Sequence, residues 1–214
     1  MSLTLFIANK AYSSWSARPW LLMRALDIPF AEKTVPLYVE GSRETVLKEA
    51  PTGKLPVLRD GDLAIWDSLA IIEYLAEKFP DKDIWPSAPR DRAQARSLCA
   101  EMHSGFMPFR QNCPTNFRRE NRQTPREIDE AAQADLARIE QIFKGAQGPF
   151  LFGKGFCAAD AFFAPVVSRI EAYDLNVGVE ARAYCDRILA LPAYRDWRQG
   201  AQAETWVIDK WEGL

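Results

Sequence analysis

The most restrictive feature of the sequence is a proline-bracketed segment that leads directly into a short hairpin. It reads PTGKLPVL over residues 51–58. Pro56 stands immediately before a strand whose ladder it cannot join as a donor, so the chain must bend there, and a cis Leu55-Pro56 bond fits such a bend. Asp60-Gly61 then separates two short apolar runs, and glycine supplies the positive φ of a tight turn. The sequence therefore predicts a bend followed by a β-hairpin.

The rest of the first eighty residues alternates between strand-like and helix-like patterns. Residues 3–7 are a short apolar run rich in strand formers, and apolar residues at helical spacing follow from about 16 to 26. A second strand is predicted around 33–35, and Asp67-Ser68 opens a further helix. The predicted order is strand, helix, strand, a connection, the hairpin and a helix.

Beyond residue 80 the patterns are helical. Three prolines fall between 80 and 89, which indicates a linker. Two apolar stripes at helical spacing follow it: Leu98, Met102, Phe106 and Phe109, and Ile128, Ala132, Leu136, Ile139 and Phe143. Further helices are predicted at about 158–172, 180–190 and 193–202. We therefore expect a small α/β domain over 1–80, a linker over 81–89 and an all-helical domain over 90–214.

Composition excludes several classes of function. The 214 residues include 27 Lys and Arg against 29 Asp and Glu, a net charge of −2, so no global field favours nucleic acid or an anionic membrane. The 4 cysteines form no close pair, which argues against zinc and thioredoxin-type redox sites and predicts free buried thiols. The single histidine, His103, is adjacent to Ser104 on a predicted helix, so the two cannot form a hydrolase pair. No apolar run reaches a membrane span and the N-terminus lacks a basic signal region, so a cytoplasmic protein is expected.

Three segments predict a ligand site. A bend at Pro56 would expose backbone to a ligand that pairs like an added strand. Asp67-Ser68 lies at a helix start, where free amides attract a carboxylate and the serine can donate a further hydrogen bond. A hydroxyl cluster, YSSWS over residues 12–16, lies between the first strand and the first helix. Together they indicate a site for an extended, anionic, peptide-like ligand whose reactive end lies near the serines.

In these segments the sequence resembles the cytosolic glutathione transferases. The shared motifs are the serine-rich turn, P-x-G-K-L-P-V-L, D-S-x-A-I-I-E-Y-L, the segment GFCAAD over 155–160 and the segment LPAYRDW over 191–197. Five motifs in this order cover nearly the whole chain. The resemblance implies a thioredoxin-like N-terminal domain that binds glutathione and an all-helical C-terminal domain that forms the pocket for an electrophile.

The resemblance also implies roles for particular residues. Leu55, Pro56 and Val57 would line the glutathione site, with the Val57 backbone pairing with the cysteinyl unit. Asp67 would meet the ammonium group of the γ-glutamyl end, and Ser68 would meet its carboxylate. Glutathione is thereby expected as a cosubstrate, with no metal.

The residue that donates a hydrogen bond to the sulfur has several candidates. The segment SSWSAR over 13–18 resembles the S-S-C-S-x-R turn of zeta-class transferases, whose first serine aligns with Ser13. Ser13 is therefore the first candidate, Ser14 the second and Tyr12 the third, whereas Ser16 is better explained as a helix cap. Trp15 replaces the zeta-class cysteine, which weakens an inference of maleylacetoacetate isomerase activity and excludes a cysteine-based thiol transfer at that position.

The helix after the linker is the usual wall of the electrophile pocket in such proteins. Met102, His103, Phe106 and Arg110 are accordingly candidates for contact with the electrophile. The expected function is activation of the glutathione thiol for attack on a small electrophile, as in detoxification, by a homodimer. A non-catalytic binding protein of the same fold, a glutathione-dependent isomerase and a peroxidase are the alternatives. Cys157 stands where relatives have Ser or Thr, so its helix cap with Asp160 is expected to be weak.

Overall fold

The N-terminal part of the chain is built on one four-stranded mixed sheet. The computed structural model describes residues 3–120 and 126–212, without the side chain of Lys210. The strands are β1 (Leu3–Ile7), β2 (Phe30–Thr34), β3 (Val57–Asp60) and β4 (Leu63–Trp66), in the spatial order β2-β1-β3-β4. β1 pairs parallel with β2 and antiparallel with β3, and β3 pairs antiparallel with β4.

The bend and the hairpin are confirmed. The Leu55-Pro56 peptide bond is cis, Asp60 pairs with Leu63 across the turn, and Gly61 has a φ of 59°. The hairpin follows from its sequence because two strand-forming runs flank a residue pair that accepts the turn geometry.

Three helices accompany the sheet: α1 (Ser14–Ala25), α2 (Ser42–Glu49) and α3 (Ser68–Lys78). The predicted connection between β2 and the hairpin is wrong in one respect, because it contains α2. This helix has no side-chain cap, starts after Gly41 at a φ of 77°, and buries Ser42 and Val46. With so little apolar periodicity, it depends on packing against the sheet rather than on local sequence signals.

The rest of the described chain is helical. Its helices are α4 (Pro89–Ser104), α5 (Met107–Asn112), α6 (Glu130–Lys144), α7 (Ala158–Ala172), α8 (Val179–Ala190), α9 (Pro192–Ala203) and α10 (Asp209–Glu212). The three C-terminal predictions agree with α7, α8 and α9 to within about one residue at each end. The boundaries predicted for the domains and the linker stay predictions. No helix in the described ranges combines the length and hydropathy of a membrane span.

The apolar stripe from Leu98 to Phe109 was predicted to lie on one helix, but it is divided between two. α4 ends before Gly105, and Phe106 adopts a left-handed φ of 58° before α5 begins. A Cβ on Gly105 would lie 2.8 Å from the Glu101 carbonyl oxygen, so the close approach requires glycine there. The helical spacing of apolar residues continues across the break because α4 and α5 both direct their apolar side chains into the same core.

One large apolar core joins the sheet and the helices. Trp20 of α1 packs against Trp197 of α9, with ring centres 5.1 Å apart, and α7 is buried along nearly its whole length. A smaller cluster under α2 contains Phe6, Val46 and Val57. Because α1 contacts both α7 and α9, it lies where the sheet meets the helical part.

Candidate functional site

A cavity of about 1200 Å³ lies between the sheet and the helices α4 and α5. Ordinary small-molecule pockets measure about 300–1000 Å³, so this one has room for a tripeptide and a second reactant. Its wall includes the first turn of α1, the bend before β3, the start of α3, and side chains from α4, α5, α7 and α10. The geometry thus brings together all three segments that predicted a ligand site.

Ser13 and Ser14 both line the cavity, but their hydroxyls are in different states. Ser13 is the N-cap of α1: its Oγ accepts from the Ser16 amide at 3.2 Å and donates to Ser16 Oγ at 2.9 Å. Ser16, expected to be the cap, instead accepts the Ala8 amide at 3.0 Å, so that expectation is wrong. Within the described residues, the Ser14 hydroxyl has no hydrogen-bond partner, although Ser14 is 6% exposed.

Tyr12, the third candidate, has its hydroxyl occupied by the C-terminal segment. The hydroxyl donates to Glu212 and accepts from the Ile208 amide at 3.2 Å, while its ring lies 5.5 Å from that of Trp211. Burial, together with the hydrogen bond to Glu212, raises the pKa of Tyr12. The Tyr12 hydroxyl is therefore already engaged and is not free to donate a hydrogen bond to a sulfur atom.

At the bend, Leu55 and Pro56 line the cavity and Val57 does not. Val57 is fully buried between β1 and β4, where it pairs with Phe6 and Trp66. The backbone of Leu55, by contrast, makes no hydrogen bond within the described part of the chain. Val57 thus lies between two strands, and Leu55 presents open backbone groups to the cavity. The pairing of the Val57 backbone with a cysteinyl unit stays a prediction.

Asp67 lies at the cavity wall in a conformation that L-residues rarely adopt, with a φ of 75°. Its Oδ1 caps α3 by accepting from the Leu69 amide at 2.8 Å, and its Oδ2 lies 3.2 Å from His103 Nε2. The Asp67 carboxylate thus caps α3 and also pairs with His103 of α4. Burial lowers the pKa of His103, so the imidazole is mainly neutral near pH 7.

Ser68 lies beside Asp67 at the wall and is otherwise fully buried. Its Oγ accepts from Arg18 Nη1 at 3.2 Å. Because a guanidinium can only donate, the hydroxyl hydrogen of Ser68 remains available for an acceptor in the cavity.

Arg18 lies behind the cavity wall, in contact with Ser68, and the sequence does not predict this position. It is 1% exposed and has no carboxylate within ion-pair distance in the described chain. Its guanidinium lies between two aromatic rings, 4.2 Å from the centre of Trp15 and 4.4 Å from that of Phe162. Burial lowers its pKa well below the ordinary value. The only signal in the sequence is the last position of the serine-rich turn, which says nothing about Ser68, fifty residues away.

The four candidates for the electrophile side separate into two pairs. His103 and Arg110 line the cavity, where both lie against Trp15, at 4.9 Å and 5.4 Å from its ring centre. Met102 and Phe106 are 2% and 7% exposed and belong to the core instead. The break between α4 and α5 explains the difference, because it turns Arg110 toward the cavity and leaves Phe106 inside.

Two further long side chains contribute to this side of the cavity. Arg169 of α7 and Trp211 of α10 both line it. Neither residue belongs to a sequence motif, so the sequence gives no signal for a place in the cavity wall. Among the described residues, no cluster of His, Cys, Asp or Glu is arranged to hold a metal ion.

The site and the fold define a class: a thioredoxin-like sheet domain that faces a helical domain across a large cleft. Family models for the glutathione S-transferase N-terminal and C-terminal domains match residues 12–78 and 118–200. Glutathione S-transferase 1 of Dianthus caryophyllus is 30% identical over 179 residues, covering 81% of this chain and 80% of that protein. The chain therefore belongs to the glutathione S-transferase family.

Two more comparisons cover nearly the full length of the chain. The maleylacetoacetate isomerase of Pseudomonas aeruginosa is 28% identical over 212 residues, 94% of this chain and 98% of that protein. A glutathione transferase homologue from Burkholderia, solved with bound glutathione, superposes with a TM-score of 0.71 at 24% identity. The match covers 95% of this chain and 100% of that one. This last likeness establishes the fold, including the thioredoxin-like arrangement of the sheet.

Proposed function

We propose that the protein is a glutathione transferase that binds glutathione along the sheet side of the cavity and activates its thiol. The observation that supports this most directly is the free Ser14 hydroxyl at the N-terminus of α1, inside a cavity large enough for two reactants. The open backbone of Leu55 and the pair Asp67-Ser68 would hold the cysteinyl and γ-glutamyl parts. A tripeptide held in this way would have its sulfur near the serines.

The chemistry required is stabilisation of a thiolate. A free thiol has a pKa of about 8.5, so only a few per cent is ionised at neutral pH. Lowering the pKa by about two units needs roughly 2.7 kcal/mol, which one charge-assisted hydrogen bond and the positive end of a helix can supply. Ser14 requires no rearrangement for this role, whereas Ser13 must first release Ser16. The thiolate then attacks the electrophile, and the thiol proton passes to solvent.

The decisive experiment is an ultraviolet titration of bound glutathione, which follows the thiolate band with pH. We expect a thiolate at neutral pH in the wild-type protein and a clear rise of the thiol pKa in Ser14→Ala. A thiolate that persists in both Ser13→Ala and Ser14→Ala would remove the serines from the mechanism. Binding of glutathione without turnover of any electrophile would favour the non-catalytic alternative.

A second candidate is glutathione-dependent isomerisation. It is supported by the relative named as a maleylacetoacetate isomerase, which this chain matches over nearly its full length. Both reactions begin with the same thiolate, and they differ in whether glutathione remains in the product. Mass spectrometry of the reaction mixture distinguishes them: a stable adduct supports conjugation, and recovered glutathione with a rearranged substrate supports isomerisation.

We also propose a cytoplasmic homodimer, as the family resemblance implies. Exposed apolar side chains on the sheet domain, among them Val39, Leu47 and Leu63 at 44–50% exposure, give such an assembly surface to bury. Sedimentation velocity tests the dimer, and a monomer at micromolar concentration would contradict it.

A further inference from the structure

The electrophile side of the cavity contains more positive charge than its neighbouring acids balance. Arg110 of α5 and Arg169 of α7 both line the cavity, and neither has a carboxylate within ion-pair distance in the ranges 3–120 and 126–212. By contrast, the exposed Arg138 on α6 forms two hydrogen bonds with Glu101, at 2.8 and 2.9 Å. Buried charges are normally paired, so two unpaired guanidiniums at one cavity wall require an explanation.

The hydrogen bonds of the two arginines hold them in place without neutralising them. Arg110 donates to the carbonyl oxygens of Gly105 and Met102, at the break between α4 and α5. Arg169 is 5% exposed and donates to the carbonyl oxygens of Cys113 and Pro165, at 2.8 and 3.0 Å. Carbonyl groups orient a guanidinium but leave its full charge, so both cations remain available to an anion in the cavity.

The remaining charges near these arginines do not change this balance. Asp67, on the opposite wall, is already paired with His103. Asp135 accepts a hydrogen bond from the Phe109 amide and acts on Arg110 only through its more distant charge. Burial, followed by the nearby charge of Arg110, lowers the pKa of Arg169 to about 9. An anion placed between the two guanidiniums would relieve this repulsion.

We propose that the electrophile taken by this cavity has a carboxylate group, which Arg110 and Arg169 hold while its reactive carbon faces the serines. The inference rests on the proposed function, since it concerns the second reactant of the same site. Met107 and Trp15 line the cavity beside Arg110 and give the apolar surface against which the rest of such a molecule packs. The substrate class is therefore a small organic acid with an electrophilic carbon.

Chlorodinitrobenzoate and its methyl ester form a matched pair for the test. Glutathione's thiolate forms a carbon–sulfur bond with either ring, chloride leaves with its bonding electrons, and the thiol proton passes to solvent. For the wild-type protein we expect a higher kcat/KM with the acid than with the ester. In Arg110→Met, kcat/KM for the acid falls about 10- to 100-fold, the loss of one charged hydrogen bond, and kcat/KM for the ester falls by a much smaller factor.

The control is Arg138→Met, which removes an exposed, ion-paired arginine. We expect its kcat/KM to equal that of the wild-type protein with both substrates. Arg169→Lys keeps the charge but not the planar donor geometry, so it is expected to reduce the activity with the acid by less than Arg110→Met. Retained activity with the ester shows that each variant is folded. Equal losses for acid and ester would overturn the proposal.

Two other outcomes are also informative. If the arginines hold a carboxylate of glutathione instead, the KM for glutathione rises in Arg110→Met with both substrates, and the proposal is wrong. If the wild-type protein turns over neither substrate and its bound glutathione shows no thiolate at neutral pH, the proposed function fails. Calorimetric titration with unreactive dinitrobenzoate then still decides the inference: binding that is lost in Arg110→Met supports the anion site, and no binding to the wild-type protein overturns it.

Discussion

The two sides of the cavity are built by different means. On the sheet side, the groups facing the cavity are backbone atoms and short polar side chains: Leu55, Asp67-Ser68 and the first turn of α1. On the helical side they are long cationic and aromatic side chains from separate elements: His103, Arg110, Arg169 and Trp211. The first side is set by local backbone geometry, and the second by which helices meet.

This difference has a chemical consequence. Backbone groups and helix starts recognise a constant peptide-like ligand, and changes of side chain alter them little. Long side chains can be replaced without disturbing the sheet, so they can define a variable second substrate. The comparison predicts that variants on the sheet side change glutathione binding and the thiol, whereas variants on the helical side change the stability of its wall or the choice of electrophile.

The largest expected effect is a loss of stability in the helical part of the chain, at the start of α7. Asp160 is fully buried and accepts from the Leu151 amide, the Cys157 amide and the Tyr184 hydroxyl, at 3.0, 3.0 and 2.9 Å. Asp160→Ala leaves three buried donors without a partner, so we expect a loss of about 3–4 kcal/mol in the free energy of unfolding. Urea denaturation measures it. Asp129→Ala, which removes an exposed cap from α6, is the matched control, and an equal loss there would contradict the prediction.

The next effect concerns the part of the sheet side where the γ-glutamyl group of glutathione is proposed to bind. Asp67→Asn keeps the oxygen that caps α3 but removes the negative charge, so the fold should be retained. We expect the KM for glutathione to rise about 10- to 100-fold, because a charged hydrogen bond becomes a neutral one. Glu73→Gln, on the same helix but paired with Arg96, is the control. An unchanged KM in Asp67→Asn would mean that the ammonium group binds elsewhere.

The two serines should separate activation from stability. Ser14→Ala is expected to raise the pKa of the bound thiol by about one unit, roughly 1.4 kcal/mol, with the melting temperature nearly unchanged. Ser13→Ala removes the cap of α1 and is expected to cost about 1 kcal/mol of stability. Thiol titration and thermal unfolding of both variants measure the two effects. The opposite result would identify Ser13 as the donor and Ser16 as the partner that releases it.

The smallest expected effect is at the start of α7. Cys157 is the N-cap residue there and is 4% exposed. A serine oxygen accepts a hydrogen bond from a backbone amide better than sulfur, so Cys157→Ser should keep or raise the melting temperature, by at most about 1 kcal/mol in stability. A clear decrease would show that the packing of the thiol matters more than the cap.

Much of the sheet side could be predicted from the sequence because its signals are local. The hairpin at Asp60-Gly61, the bend at Pro56 and the helix start at Asp67 each depend on a few adjacent residues. Even so, neighbours in the fold decided which residue presents its backbone. Val57 is enclosed by two strands and Leu55 is not, a distinction that the segment itself does not contain.

The helical side could be predicted only in outline. Periodicity placed α7, α8 and α9 but continued across the break at Gly105, because both helices bury the same face. Arg18 and Arg169 lie in helices whose pattern predicts core, and nothing local distinguishes an arginine under a site from one on the surface. Their positions depend on contacts among α1, α4 and α7.

By itself, the sequence determined most of the order of the elements and the three segments that line the cavity, and its motifs indicated the family. The elements and segments follow from turn chemistry, capping and periodicity, which act between residues close in the chain. Only the tertiary structure decided which serine hydroxyl is free, which backbone is open and which arginines meet without an acid. Those properties depend on hydrogen bonds and charges between distant residues, whose proximity is a result of folding and not of spacing along the chain.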